Sequence, residues 1–180
     1  MSLAIGSTAP FFQLKNAHPN LGQSMMSLED AKGPRGVVVV FECNHCPYVV
    51  ASVGRMNDLS EYCQSHGIGF IGINSNDAAV YANDSFEHMV KRAEKGMPYP
   101  YLYDESQSIA HEYGAERTPE FFLFDSNNSL IYRGRMDDSP KDPHGVTQRD
   151  LKDAIDAMLA GRAPHVSTTD SIGCSVKWKA

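Results

Sequence analysis

Apolar residues in this chain arrive in two spacings, and the alternation between them predicts strands and helices in turn. After the turn-forming Gly33-Pro34-Arg35-Gly36 comes Val37-Val38-Val39-Val40-Phe41, a continuous β-branched run suited to a strand buried on both faces. From Pro47 to about His66 the apolar positions Val49, Val50, Val53, Met56, Leu59 and Tyr62 recur mostly at steps of three and four, the signature of an amphipathic helix, which Gly67 ends. Ile68-Gly69-Phe70-Ile71-Gly72-Ile73 then reads as a second buried strand. Strand, helix and strand in that order predict a right-handed parallel crossover.

The flanking segments follow the same logic. Phe11-Phe12-Gln13-Leu14 and Met25-Met26-Ser27-Leu28, separated by the turn-rich Asn16 to Gly22, predict a hairpin. Asp84 or Ser85 can cap a helix to about Lys95, with Phe86, Met89, Val90 and Ala93 on one face and Gly96 and Pro98 as the stop. Tyr101 to Tyr103 is a short strand, Ser106 to Tyr113 a short helix closed by Gly114, and Glu120 to Phe124 with Leu130 to Arg133 a hairpin around Asp125 to Asn128. The sheet therefore turns antiparallel near its end. Asp137 to Gly145, with two prolines and no apolar period, is expected to be an exposed polar loop. Thr147 is expected to cap a last helix with Leu151, Ile155, Met158 and Leu159 inward and Gly161 at its end.

Composition narrows the reading. A chain of 180 residues, 42% hydrophobic and 21% charged, is expected to form one core. A domain of that size buries roughly 70% of its extended surface, so it folds without structural disulfides or metal. Net charge is -6, and the 16 Lys and Arg residues form no dense basic run, which argues against a nucleic-acid partner. No stretch approaches the roughly 18 apolar residues of a membrane span, and Met1 to Leu14 lacks a charged start before an apolar run. The expectation is a soluble, cytoplasmic protein with no membrane partner and no cofactor.

Among the four cysteines, Cys43 and Cys46 stand at C-x-x-C spacing in Cys43-Asn44-His45-Cys46-Pro47, between the buried strand and the helix behind it. Unpaired N–H groups in the first helical turn favour a thiolate, and the expectation is that Cys43 ionises and attacks a disulfide while Cys46 resolves the mixed disulfide. His45 can add positive charge or a hydrogen bond beside the sulfurs. No second C-x-x-C or H-x-x-x-H completes a four-ligand set, so redox chemistry outweighs a metal site.

Strand, C-x-x-C, helix and strand, followed much later by Thr118-Pro119 ahead of the hairpin, resemble the thioredoxin superfamily over roughly residues 8 to 160. Ala9-Pro10-Phe11 and the N-terminal hairpin resemble the branch holding peroxiredoxins and TlpA/ResA-type reductases. Cys43 to Val49 and the terminal Gly173-Cys174-Ser175-Val176-Lys177-Trp178 resemble bacterial thioredoxin-family proteins described as AhpC/TSA-like. The resemblance implies a single α/β thioredoxin-like domain over residues 1–180. Its central mixed sheet is flanked by helices, with an N-terminal β-hairpin extension, a core of about 8–160 and a C-terminal tail of 161–180. It also implies a cis Pro119 lying against the active-site disulfide and a Thr118 whose backbone binds substrate. Thioredoxin carries a buried carboxylate six residues before its first cysteine, where this chain has Val37. Glu42 is the nearest substitute as a proton carrier, against a plain reading as a strand-end carboxylate facing solvent. His45 before the second cysteine implies a reduction potential above that of thioredoxin.

Cys174 is a possible third redox cysteine if the tail folds back over the cysteine pair, with Trp178 anchoring it by burying its indole; incidental packing is the plain alternative. Cys63 reads as packing, the remaining histidines as surface residues, and Asn74 to Asp77 as a strand-end loop of the kind that borders sites in α/β sheets. The function expected is thiol-disulfide exchange with a protein or small-molecule disulfide or dithiol, fed by an electron donor of unknown identity. Two alternatives stand beside it. One is a peroxiredoxin-type thiol peroxidase, for which Cys46-Pro47 speaks and Cys43, in place of Thr or Ser, speaks against. The other is a non-catalytic redox sensor acting through the Asp137 to Gly145 loop or the tail.

Overall fold

The computed structural model describes residues 3–180. In chain order they form β1 (Gln13–Asn16), β2 (Met25–Ser27), α1 (Leu28–Ala31), β3 (Gly36–Phe41), α2 (Pro47–Ser65), β4 (Ile68–Asn74), α3 (Phe86–Glu94), β5 (Tyr101–Tyr103), α4 (Ser108–Tyr113), β6 (Arg117–Thr118), β7 (Glu120–Asp125), β8 (Leu130–Gly134), α5 (Asp150–Leu159) and β9 (Cys174–Ser175). Single 3-10 turns lie at Ala82–Asp84 and Pro143–Gly145.

The unbroken apolar run of β3 is explained by what covers each face. Successive strand side chains point to opposite sides. Val38 and Val40 pack with Met56 and Leu59 of α2, Met89 of α3 and Leu151 and Ile155 of α5. Val37, Val39 and Phe41 pack with Leu28 and Ala31 of α1 and Ile109, Ala110 and Tyr113 of α4. Burying each such valine stabilises the fold by about 1.5–3 kcal/mol, so both helical layers are held to the same strand.

Strand pairing runs β2-β1-β5-β4 on one side and β3-β7-β8 on the other, with β4 and β5 parallel and the remaining pairs in those two sets antiparallel. Backbone bonds from Arg35 N to Gly67 O and from Glu42 N to Ile73 O tie the ends of β3 and β4 in the same direction. The result is an α/β fold with a central mixed sheet between helices, and the N-terminal hairpin is present as antiparallel β1 and β2.

Several expectations are corrected. Met25 to Leu28 does not stay extended: Ser27 and Asp30 form a capping box, and Leu28 opens α1. Thr147 does not cap α5, which starts at Asp150 behind Arg149; its N–H and hydroxyl bond the Asp138 carboxylate instead. Nor is the segment from Asp137 simply an exposed loop. Asp137 is buried, and Arg55 on α2 pairs with it at 2.7 Å while donating to the carbonyls of Ser139 (2.9 Å) and Pro140 (2.7 Å). The planar guanidinium gathers a polar stretch that has no apolar period of its own.

Candidate active site

Cys43 is the second residue after β3, and Cys46 is the N-cap of α2, with Pro47 at the first helical position where its missing N–H costs nothing. Both sulfurs are free thiols on nearly covered residues, 1% exposed for Cys43 and 4% for Cys46. They meet over Thr118. The Cys43 thiol lies 3.7 Å from the Thr118 hydroxyl, and the neutral Cys46 thiol donates to the Thr118 carbonyl at 3.5 Å. The Thr118–Pro119 bond is cis. Upstream, the Glu120 carboxylate accepts the N–H groups of Glu116 (2.9 Å) and Arg117 (3.1 Å), fixing the chain as it enters Thr118. The fold thus brings Cys43, Cys46, Thr118 and Pro119 together.

Acidity within the pair is set first by the bond between the two sulfurs. The Cys46 thiol is lowered to about 4, first because Cys43 donates a hydrogen bond to its ionised form; burial opposes this, and Cys174 and the Val49 N–H reinforce it. Cys43 is pushed up by the same bond, by burial and by the Asp84 carboxylate. One negative charge serves two sulfurs, and the pair titrates as a unit. Cys63 shows the contrast: fully buried, it is raised to about 12, chiefly by desolvation, as packing without reactivity requires.

Glu42 is buried, which excludes the solvent-facing reading. Its carboxylate pairs with Arg92 at 2.5 Å and accepts the Tyr99 hydroxyl at 2.8 Å. Gly72 makes the space, since a Cβ there would stand 2.4 Å from Glu42 Oε2. Arg92 in turn donates to the Cys43 carbonyl at 3.2 Å. Glu42 therefore reaches the cysteine loop through Arg92.

His45 is an exposed side chain whose Nδ1 lies 3.3 Å from the Asp84 carboxylate. Asp84 is the organiser that sequence reasoning missed. Fully buried, it accepts the Asn44 N–H (2.8 Å) and the side-chain amides of Asn74 (3.1 Å) and Asn76 (3.0 Å), fastening the cysteine loop to the end of β4. The sequence offered Asp84 only as a helix cap. Tyr101 entered the sequence reading only as the start of a short strand, yet its hydroxyl donates to Asn44 Oδ1 at 2.7 Å.

The tail also reaches the site. β9 pairs antiparallel with β6, setting Cys174 opposite Thr118 and Ser175 opposite Arg117. Cys174 is partly exposed and packs against the core cluster that holds Cys43 and Cys46. Trp178 does not bury its indole; 39% exposed, it stacks on His111 with centroids 4.2 Å apart. His18, expected at the surface, is buried, with Nε2 2.7 Å from the Met97 carbonyl.

Two free thiols meeting at a cis Thr118–Pro119 on a mixed sheet between helices define a thioredoxin-type redox protein. The Redoxin family profile matches residues 4–155, and the chain belongs to that family. It is 42% identical to an uncharacterized conserved protein of Geobacillus kaustophilus, with a TM-score of 0.90 over 98% of this chain and 93% of that one. A hypothetical protein of Sinorhizobium meliloti is 35% identical, with a TM-score of 0.90 over 100% of this chain and 97% of that one. The thioredoxin domain of a thiol-disulfide oxidoreductase from Bacteroides vulgatus shares the fold at 21% identity and a TM-score of 0.58, over 73% of this chain and 89% of that one. Among curated proteins none matches.

Proposed function

We propose that this chain is an enzyme that exchanges thiols and disulfides through Cys43 and Cys46, acting on a protein or small-molecule disulfide. The observation that carries this reading is the pair of free thiols sharing Thr118 at the N-terminus of α2; the lowered acidity of Cys46 supports it. Cys46 is the attacking sulfur. Its thiolate breaks the substrate disulfide to form a mixed disulfide, and Cys43 then displaces the second substrate thiol, leaving the Cys43–Cys46 disulfide and two reduced substrate sulfurs. A cytoplasmic setting suits such a cycle, because thiols are kept reduced there.

A second reading is favoured by the same acidity. Cys46, followed by Pro47, is the sulfur that would attack a peroxide, becoming a sulfenic acid as the alcohol or water leaves; Cys43 would then condense with it to a disulfide and release water. Insulin reduction driven by dithiothreitol, run beside peroxide consumption, separates the two. Exchange predicts rapid insulin reduction, slow peroxide loss, and abolition of the former in Cys46→Ser. Fast peroxide consumption without insulin reduction would reverse the order.

A further inference from the structure

The exchange reading uses two sulfurs, but the site holds three. The strand carrying Cys174 is tied down along its length by backbone groups and by the side chains of Asn76 and Gln107. Val176 N–H donates to the Glu116 carbonyl (2.9 Å) and Lys177 N–H to Asn76 Oδ1 (2.9 Å). The Lys177 carbonyl accepts from Asp77 N–H (2.8 Å) and from the buried Gln107 amide (2.9 Å), whose oxygen takes the Lys179 N–H at 3.0 Å. Close approach is built in as well: a Cβ on Gly173 would stand 2.1 Å from the Thr118 carbonyl oxygen. Side-chain amides spent on the backbone of a terminal segment mark a seat made for that segment.

The place it occupies carries the meaning. β9 adds itself to the Arg117–Thr118 edge as an extended peptide would, by β-augmentation. Thr118 faces Cys174 across the strands and touches Cys43 with its hydroxyl and Cys46 with its carbonyl. Cys174 packs against the same core cluster as both, yet it is the one of the three with solvent access.

Resting on the exchange reading above, we propose that Cys174 is a third redox-active cysteine, an internal exchange partner of Cys46 that carries the disulfide from the buried pair to the surface. Oxidising equivalents enter as a substrate disulfide, which reaches Cys46 when β9 is lifted and leaves as two thiols, with Cys43–Cys46 oxidised. When the strand returns, the Cys174 thiolate attacks Cys46 Sγ. The Cys46–Cys174 bond forms, the Cys43–Cys46 bond breaks, and the electron pair leaves on the Cys43 sulfur, which takes up the proton Cys174 gave away. That step is a disulfide isomerisation with no net oxidation. An external dithiol reductant then reduces Cys46–Cys174 and ends as a disulfide itself.

The test is disulfide mapping by mass spectrometry after reduced full-length protein is treated with less than one equivalent of oxidised glutathione, acid-quenched and alkylated. Wild type is expected to give both Cys43–Cys46 and Cys46–Cys174. Cys43→Ser should convert to Cys46–Cys174 with both glutathiones released, and Cys174→Ser should lose that link. The proposal is overturned if wild type yields Cys43–Cys46 alone and Cys43→Ser stops as a glutathione adduct on Cys46. If wild type forms no disulfide at all, the exchange reading itself fails and takes this proposal with it.

Discussion

Glu42 and Arg92 are both buried, and a pair of charges in that setting persists because each offsets the other's desolvation, helped by the Tyr99 hydroxyl. Removing one charge leaves the other stranded. Glu42→Gln keeps the volume and an acceptor for Tyr99 while stranding the guanidinium. It should therefore destabilise the protein by about 3–5 kcal/mol in urea unfolding. A loss under 1 kcal/mol would mean that water or another group compensates Arg92. The same substitution loosens Arg92 from the Cys43 carbonyl, so exchange should slow more than the remaining folded fraction accounts for. Glu42 was visible in the sequence as a carboxylate beside the cysteines, but Arg92 was not: it sits 49 residues from Cys43, off the apolar face of α3, and only the fold makes Glu42 and Arg92 neighbours.

At the scale of elements, β9 depends on a residue with no side chain. Gly173→Ala places a methyl group against the Thr118 carbonyl, 2.1 Å from its oxygen, and backbone cannot yield as a flexible side chain does. The strand should detach while α5, which ends at Leu159, stays packed. Losing the short β6–β9 pairing, at about 1 kcal/mol per backbone bond, should raise the rate of Cys46 alkylation about tenfold or more and expose the tail to protease, with little change in unfolding midpoint. Unaltered alkylation would show that β9 does not screen the sulfurs. Periodicity made β3, α2, β4, β7 and β8 legible, because each buries a patterned face. It was silent on β6 and β9, two residues apiece, whose existence depends on each other and on no local pattern. In the tail, Gly173 to Trp178 were recognisable as a motif, but their seat on Asn76 and Gln107 follows from contacts spanning 101 and 70 residues.

Across the whole molecule the cysteine pair links folding to proton binding, with opposite signs on its two limbs. Unfolded, both thiols ionise near pH 8.5. Folded, Cys46 titrates at about 4 and Cys43 above the ordinary range. Between pH 4 and about 8.5 the unfolded chain therefore holds a proton on Cys46 that the folded chain has released, and stability rises with pH. Above about 8.5 the unfolded chain loses its Cys43 proton while the folded chain keeps it, so stability falls again. The contribution of Cys46 is complete above its unfolded pKa and is lost as pH drops through its folded one. Carboxylates such as Asp138, held at about 2 by Thr147 and Gln148, add their own rise at lower pH, so the pair is isolated by difference. In Cys46→Ser, which cannot ionise, the rising limb between pH 5 and 8 should vanish relative to wild type in urea unfolding under reducing conditions. The thiolate absorbance of wild type should persist down to about pH 5. Parallel stability curves for the two proteins, with wild-type thiolate absorbance appearing only above pH 8, would place the charge elsewhere and remove Cys46 as the attacking sulfur.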